Sequence, residues 1–188
     1  MKLPSLAIDL GSAYTRMYQL GTGVVLEEPS YIALDESARR IVRAVGQDAK
    51  NLIGRTVDGT SVRAPVFEGY VNDEGSAALM TDAFLNKVTM KRLGKRPPVL
   101  FSVPCGAENA VIKKYERVLN ECGVYDVFFV ESPVMSALGA GVPITESNPC
   151  FLIDLGGGST KMASVSLGGA ISRISAKMGG KTGGRMLV

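Results

Sequence analysis

Ile8-Asp9-Leu10-Gly11-Ser12-Ala13-Tyr14-Thr15-Arg16-Met17 and Ile153-Asp154-Leu155-Gly156-Gly157-Gly158-Ser159-Thr160-Lys161-Met162 are two copies of one pattern. They align without a gap, and each later meets a second Leu-Gly turn, Leu20-Gly21 and Leu167-Gly168. Each copy reads as an apolar strand ending in an acid, a tight turn of small residues, and a second strand. A self-match that includes polar as well as apolar positions predicts two related lobes. An aspartate at the end of a buried strand is costly unless a cation or a donor faces it. A turn of small residues presents backbone N–H groups, which bind phosphate oxygens with no side chain in the way. With Mg²⁺ between them, commonly through waters, acid and phosphate become compatible. Two facing hairpins of this kind would make a pincer for the phosphates of a magnesium nucleotide. Either aspartate alone would be read as a turn cap.

Working outward, Leu6 to Leu20 and the stretch from Val24 to Leu34 predict strand, turn, strand, turn, strand. Residues 35–72 are more polar and carry Gly46, Gly54, Gly59 and Gly69, which predicts a small inserted lobe. Ala78, Met80, Phe84, Leu85 and Val88 fall at helical spacing, so a helix is expected from Ser76 to Met90. Val99 to Val103 reads as a strand. Val111, Ile112, Tyr115, Val118, Leu119 and Cys122 form one helical face closed by Gly123. Val127 to Val130 is a second buried strand, and Pro133 starts a short helix ending near Gly139. Strand, helix, strand, helix predicts a parallel α/β sheet. Phe151 to Asp154, Lys161 to Leu167 and Ala170 to Lys177 follow as strands, the last two joined across Gly168-Gly169.

The composition sets bounds on the chemistry. The 188 residues are 46% hydrophobic and 21% charged, a globular composition. There is no histidine, which removes Ser-His-Asp and Cys-His catalysis, histidine metal sites and histidine pH switching. Cys105, Cys122 and Cys150 form no CxxC pair, so free, buried thiols in a reducing cytosol are expected rather than zinc or disulfides. A net charge of +3 does not argue for nucleic acid. Met1 to Leu10 is too short and too soon charged for a signal peptide, and no apolar run reaches membrane-span length.

The two copies resemble the phosphate motifs of the actin-like ATPase superfamily, and its MreB branch is the nearest likeness. Gly23-Val24-Val25-Leu26-Glu27-Glu28-Pro29-Ser30 resembles the run after the first motif, as does Ile32-Ala33-Leu34-Asp35. Val45-Gly46-Gln47-Asp48-Ala49-Lys50 with Gly54-Arg55-Thr56 resembles the branch's small-lobe signature. Val103-Pro104 and Val130-Glu131-Ser132-Pro133 resemble the strands leading to its inter-lobe helix. The resemblance runs in unbroken order from about residue 5 to about residue 180.

It implies an α/β, actin-like (ribonuclease H-like) fold. Residues 1–34 and 73–146 would form the first large lobe, 35–72 the small lobe, and 147–188 an incomplete second large lobe. It implies ATP and Mg²⁺ as cofactors. Asp9 and Asp154 would organise the ion through water, Asp154 with a catalytic role. Gly11, Ser12, Ala13 and Tyr14 would hold phosphate from one side, and Gly156, Gly157, Gly158, Ser159 and Thr160 from the other. It also implies a cytoplasmic protein that forms filaments at the inner face of the cell membrane, with itself, a full-length relative or cell-wall elongation proteins as partners.

Three departures qualify that expectation. Ser132 stands where the family has the glutamate that positions the attacking water, and a serine hydroxyl is no general base near neutral pH. Lys161 replaces an acid after the second motif, and Gly180 to Gly184 lacks the acids common there. The sequence stops soon after the second hairpin, so a truncated or fragmentary member with weak nucleotide binding and impaired hydrolysis is expected. A non-catalytic module regulating filaments of a full-length relative is the alternative, as are another superfamily ATPase and a degraded gene product. Lys87, Lys91, Arg92, Lys95 and Arg96 form a basic run with Met90 and Leu93 interleaved. It suits either an anionic membrane surface or a solvated helix end. Gly180-Lys181-Thr182 is no P-loop, because Ser175 stands where the leading glycine must be.

Overall fold

The computed structural model describes residues 3–37, 41–56, 59–89 and 95–180. The first motif forms β1 (Leu6–Leu10) and β2 (Tyr14–Gln19), followed by β3 (Gly23–Pro29). In β1, Leu6, Ile8 and Leu10 are buried while Ala7 and Asp9 lie on the less covered side, the period-2 alternation of a strand with one face on a core. The next strand, β4 (Ile32–Asp35), is buried at all four positions. It runs through the middle of a small sheet between β5 (Ile41–Val45) and β6 (Thr60–Arg63). A lobe border drawn between residues 34 and 35 therefore cuts this central strand. Helix α1 (Gln47–Asn51) packs beside the small sheet. A short hairpin of β7 (Val66–Phe67) and β8 (Tyr70–Val71) returns the chain to the main body.

Helix α2 (Glu74–Val88) starts earlier than its apolar spacing predicts, because Asp73 caps it. The Asp73 carboxylate accepts from the Ser76 amide at 3.0 Å and from the Ser76 hydroxyl at 2.7 Å, which satisfies donors left open in a first helical turn. The helix ends at Thr89, whose backbone is extended. After it come β9 (Val99–Val103), α3 (Asn109–Glu121) and β10 (Val127–Glu131). Gly123, at φ 81°, closes α3 as expected: its amide reaches Asn120 O at 2.9 Å and the Val124 amide reaches Leu119 O at 2.9 Å.

The five-stranded sheet has the order β10-β9-β1-β2-β3. Strands β1, β9 and β10 are parallel, as a strand-helix-strand unit predicts. The hairpin strands β2 and β3 add antiparallel pairs, so the whole sheet is mixed. Its core combines Ile8, Met17 and Phe101 with Phe84 of α2 and Tyr115 and Leu119 of α3, all buried. Phe101 packs on Tyr115 and Phe129, with ring centroids 5.1 and 6.0 Å apart. Fully burying side chains of this size stabilises by roughly 1.5–3 kcal/mol each.

Arg96 corrects the expectation of a solvated basic run. Its side chain is 0% exposed. It donates to Cys122 O (3.0 Å), Thr89 O (3.1 Å), Thr89 Oγ1 (2.6 Å), Asp82 Oδ1 (3.1 Å) and Asn86 Oδ1 (2.7 Å). These bonds tie the end of α2 to the end of α3. Lys87 in turn pairs with Glu28 at 2.9 Å. Met90, Lys91, Arg92 and Leu93, the residues that would meet a membrane in the first of those two readings, lie outside the described residues. Of the thiols, Cys122 is buried, whereas Cys105 and Cys150 are half-buried rather than enclosed.

Helix α4 (Ser132–Gly139), with Pro133 in its first turn, leads to a separate antiparallel sheet in the order β11-β12-β13. Its strands are β11 (Cys150–Leu155), β12 (Thr160–Ser166) and β13 (Gly169–Ala176). A smaller core of Val134, Ala137, Ile144, Ala163 and Val165 joins α4 to one face of this sheet. The turn between β12 and β13 lies one residue earlier than expected. Ser166 pairs with Gly169, so Leu167 (φ 49°) and Gly168 (φ 79°) are its two central residues. A two-residue hairpin turn that matches strand twist needs both centres left-handed, and Leu167 accepts that conformation although it is not glycine.

Candidate functional site

The two sequence copies fold alike. Ile8 pairs with Met17, Asp9 with Arg16 and Leu10 with Thr15; Ile153 pairs with Met162, Asp154 with Lys161 and Leu155 with Thr160. Each turn is closed by the same bond, Gly11 N–H to Tyr14 O at 3.1 Å and Gly156 N–H to Ser159 O at 3.0 Å. Both glycines are required by close approach. A Cβ on Gly11 would lie 2.6 Å from Tyr14 O, and one on Gly156 would lie 2.8 Å from Ser159 O.

The turns also meet each other. A Cβ on Gly157 would come within 2.4 Å of Ala13 Cβ, and one on Gly158 within 3.0 Å of Ser12 Oγ and of the Glu68 backbone. With the tips in contact, a phosphate seated between them would require the two hairpins to part. The tip of the β7–β8 hairpin takes part in this meeting. Ser12 Oγ accepts from the Gly69 amide at 2.8 Å, and Tyr115 donates its hydroxyl to Gly69 O at 2.6 Å. Burial, Asp9 and Tyr70 together hold the Tyr115 phenol above its ordinary pKa, so it remains a donor. This prop is not among the expectations drawn from the sequence. Its only local signal is Glu68-Gly69 between Val66-Phe67 and Tyr70-Val71, a short hairpin signature without the stronger Asn-Gly or Asp-Gly turn. Both turn residues take positive φ, 52° and 84°.

Behind the turns, Asp9 and Asp154 are close enough to interact electrostatically. Burial pushes the Asp9 carboxyl above the usual carboxylate range, and the Asp154 charge adds to that. Lys161, a hydrogen bond from Ser102, and Arg16 oppose the rise. Asp154 Oδ2 accepts from Ser136 Oγ at 3.4 Å. Ser132 opens α4 and is buried, and its Oγ accepts from Lys161 Nζ at 2.9 Å. A serine hydroxyl is no general base near neutral pH, and this one accepts a hydrogen bond from an ammonium. Glu131 is turned elsewhere: its Oε1 accepts from the Gly106 amide at 2.9 Å and pairs with Arg173.

The remaining expected residues are placed as follows. Tyr14 starts β2, partly exposed, its ring beneath the Arg16 guanidinium at 5.5 Å. Ser159 is buried. Thr160 Oγ1 donates to Met178 O at 2.7 Å, and the Gly180 amide donates to Gly156 O at 3.0 Å. The segment after β13 thus folds back over the second turn.

The residues present do not fit Mg²⁺ in the manner the sequence suggests. Lys161 places an ammonium among Asp9, Asp154 and Ser132, where it would repel a divalent cation. Among the described residues no three acidic, cysteine or histidine side chains cluster as a metal site. Nor, among the described residues, is any helix long and apolar enough to cross a membrane.

Comparison with known proteins agrees with this architecture. The family model described as MreB/Mbl protein matches residues 4–186. The cell shape-determining protein MreB of Escherichia coli (strain K12) is 35% identical over 179 residues, covering 93% of this chain and 52% of the relative. The cell shape-determining protein Mbl of Bacillus subtilis (strain 168) is 32% identical over 175 residues, with the same shares covered. Crystal structures of MreB 5 of Spiroplasma citri, one bound to AMPPNP and one to ADP, superpose with TM-score 0.83 at 30% and 29% identity. They are covered to 53% of their length by 94% of this chain. The chain therefore spans about half the length of the relatives it matches. With a family match along almost all of its own length, and solved relatives that superpose over nearly all of it, the chain belongs to the MreB/Mbl family of cell-shape-determining actin homologues.

Proposed function

We propose that this chain forms the phosphate-binding part of an MreB-like ATP cleft, within a protein that assembles into filaments at the inner membrane during cell-wall elongation. The observation that carries the reading is the identity of the two hairpins in register and turn closure, with their tips facing each other. The solved relatives with AMPPNP and ADP support the nucleotide. Gly11 to Tyr14 and Gly156 to Thr160 would contact phosphate through backbone amides, after the tips part. In this reading the sheet of β1 belongs to the first large lobe, the sheet of β4 to the small lobe, and the sheet of β11 to the second large lobe. Magnesium is left out of the proposal because Lys161, opposite Asp154 in the strand register, brings an ammonium close enough to act on Asp9. Hydrolysis is impaired, because Ser132 offers no base and already accepts from Lys161.

The test is ATP turnover by the purified chain beside a full-length relative. The expected result is turnover far below the relative's. Comparable turnover that disappears in Asp154→Ala would overturn the impaired-hydrolysis reading. A second reading, a non-catalytic module acting on filaments of a full-length relative, is favoured by the exposed apolar side chains Phe151, Ile153, Leu155 and Ile174. Filament co-sedimentation without nucleotide binding would select it.

A further inference from the structure

Lys161 and Arg16 hold the same position in the two hairpins, each directly opposite the motif aspartate. Directly opposed residues of an antiparallel pair share a face, with Cβ atoms about 4.5–5.5 Å apart. Yet the two cations end differently. Arg16 is paired on its other side with Glu27 of β3, whose carboxylate takes its guanidinium at 3.2 Å on an exposed surface. Lys161 is paired on its other side with Ser175 of β13, which carries no charge. With no acid there to capture it, the lysine reaches across to α4 and donates to Ser132 Oγ at 2.9 Å, close to Asp9 and Asp154. An ammonium has three protons, and this contact uses one.

We propose that Lys161 is a built-in cation of the cleft, through which this chain binds the terminal phosphates of a nucleotide or an inorganic polyphosphate without a divalent metal. The proposal rests on the phosphate reading of the paired turns and adds how the phosphate charge is met. Ser132 and Lys161 act together. A short hydroxyl leaves room for the lysine head, and the lysine places its positive charge behind both turns, where it can swing onto a phosphate oxygen. A lysine acts here as a point charge rather than a fork, which suits a phosphate that enters when the tips part.

The experiment is calorimetric titration of the whole chain with tripolyphosphate and with ATP, in Mg²⁺ and again in EDTA. The expected result is binding in EDTA within about threefold of that in Mg²⁺. Lys161→Glu should weaken the EDTA binding more than about tenfold and make what remains metal-dependent. Lys161→Gln, which leaves no like charge beside the acids, should show the same loss if the glutamate variant does not fold. Binding that requires Mg²⁺ in the unaltered chain would overturn the proposal while leaving the phosphate reading intact. EDTA binding unchanged in both variants would remove Lys161 from the site. Absence of binding in either buffer would overturn the proposal and the phosphate reading together.

Discussion

The hairpin of β1 and β2 and the hairpin of β11 and β12 share sequence, register and turn closure, and differ in what lies against them. On the face that carries Ile8 and Met17, α2 and α3 cover the first hairpin, and both residues are 0% exposed. On the matching face of the second, Ile153 is 55% exposed and Leu155 78% exposed. The opposite faces, which carry the aspartates, are alike in direction: Asp9 and Asp154 lie near each other, and Leu152 packs toward α4. Among the described residues, one pattern is therefore enclosed by helices in one place and left uncovered in the other. Burial is a property of the neighbours, and an isoleucine contributes stability only where another element removes it from water.

The largest expected effect breaks this comparison directly. Ile8→Ala should cost about 2–5 kcal/mol, the range for emptying a packed site, whereas Ile153→Ala should cost under about 0.5 kcal/mol. Urea unfolding of the two variants measures both, and equal losses would mean that the second face is covered in solution. The next effect tests the likeness instead. Gly11→Ala and Gly156→Ala each push a methyl toward a turn carbonyl, so each should cost about 1–3 kcal/mol, and by similar amounts. A large difference between them in thermal unfolding would show that the two turns are not equivalent.

The smallest effect concerns charge. Because the folded chain raises the pKa of Asp9, its contribution is most favourable below the unfolded carboxylate value near 4 and is lost as pH rises through the folded value. Asp9→Asn should therefore raise the melting temperature modestly at neutral pH. The gap to the unaltered chain should close as the pH falls toward 4. Melting curves across that range check the sign, and a neutral-pH destabilisation would mean that the Lys161 and Ser102 contacts outweigh burial.

Much of the fold was legible because it is local. The alternation in Leu6, Ile8 and Leu10, the helical face from Val111 to Cys122 and the closing Gly123 are each short-range patterns with one physical solution. The candidate site was legible as residues and not as an arrangement. Arg96 reads as one more surface cation in a basic run, and only its five acceptors, gathered from α2, Thr89 and Cys122, reveal a buried tie. The Glu68-Gly69 turn looks like an ordinary polar insertion until Ser12, Tyr115 and Gly158 converge on it.

From the sequence alone came the repeated acid-and-turn hairpins, their gapless alignment, and the presence of a serine at position 132 and a cation at Lys161. These follow from residue identity and from spacing within a few residues, which fix strand pairing and turn shape. Three things came only from the tertiary structure: that Lys161 turns to Ser132 while Arg16 turns to Glu27, that the two turns touch, and that the described residues cover one apolar face and not its twin. Each depends on which distant segment occupies the space beside a strand, and chain spacing holds no record of that.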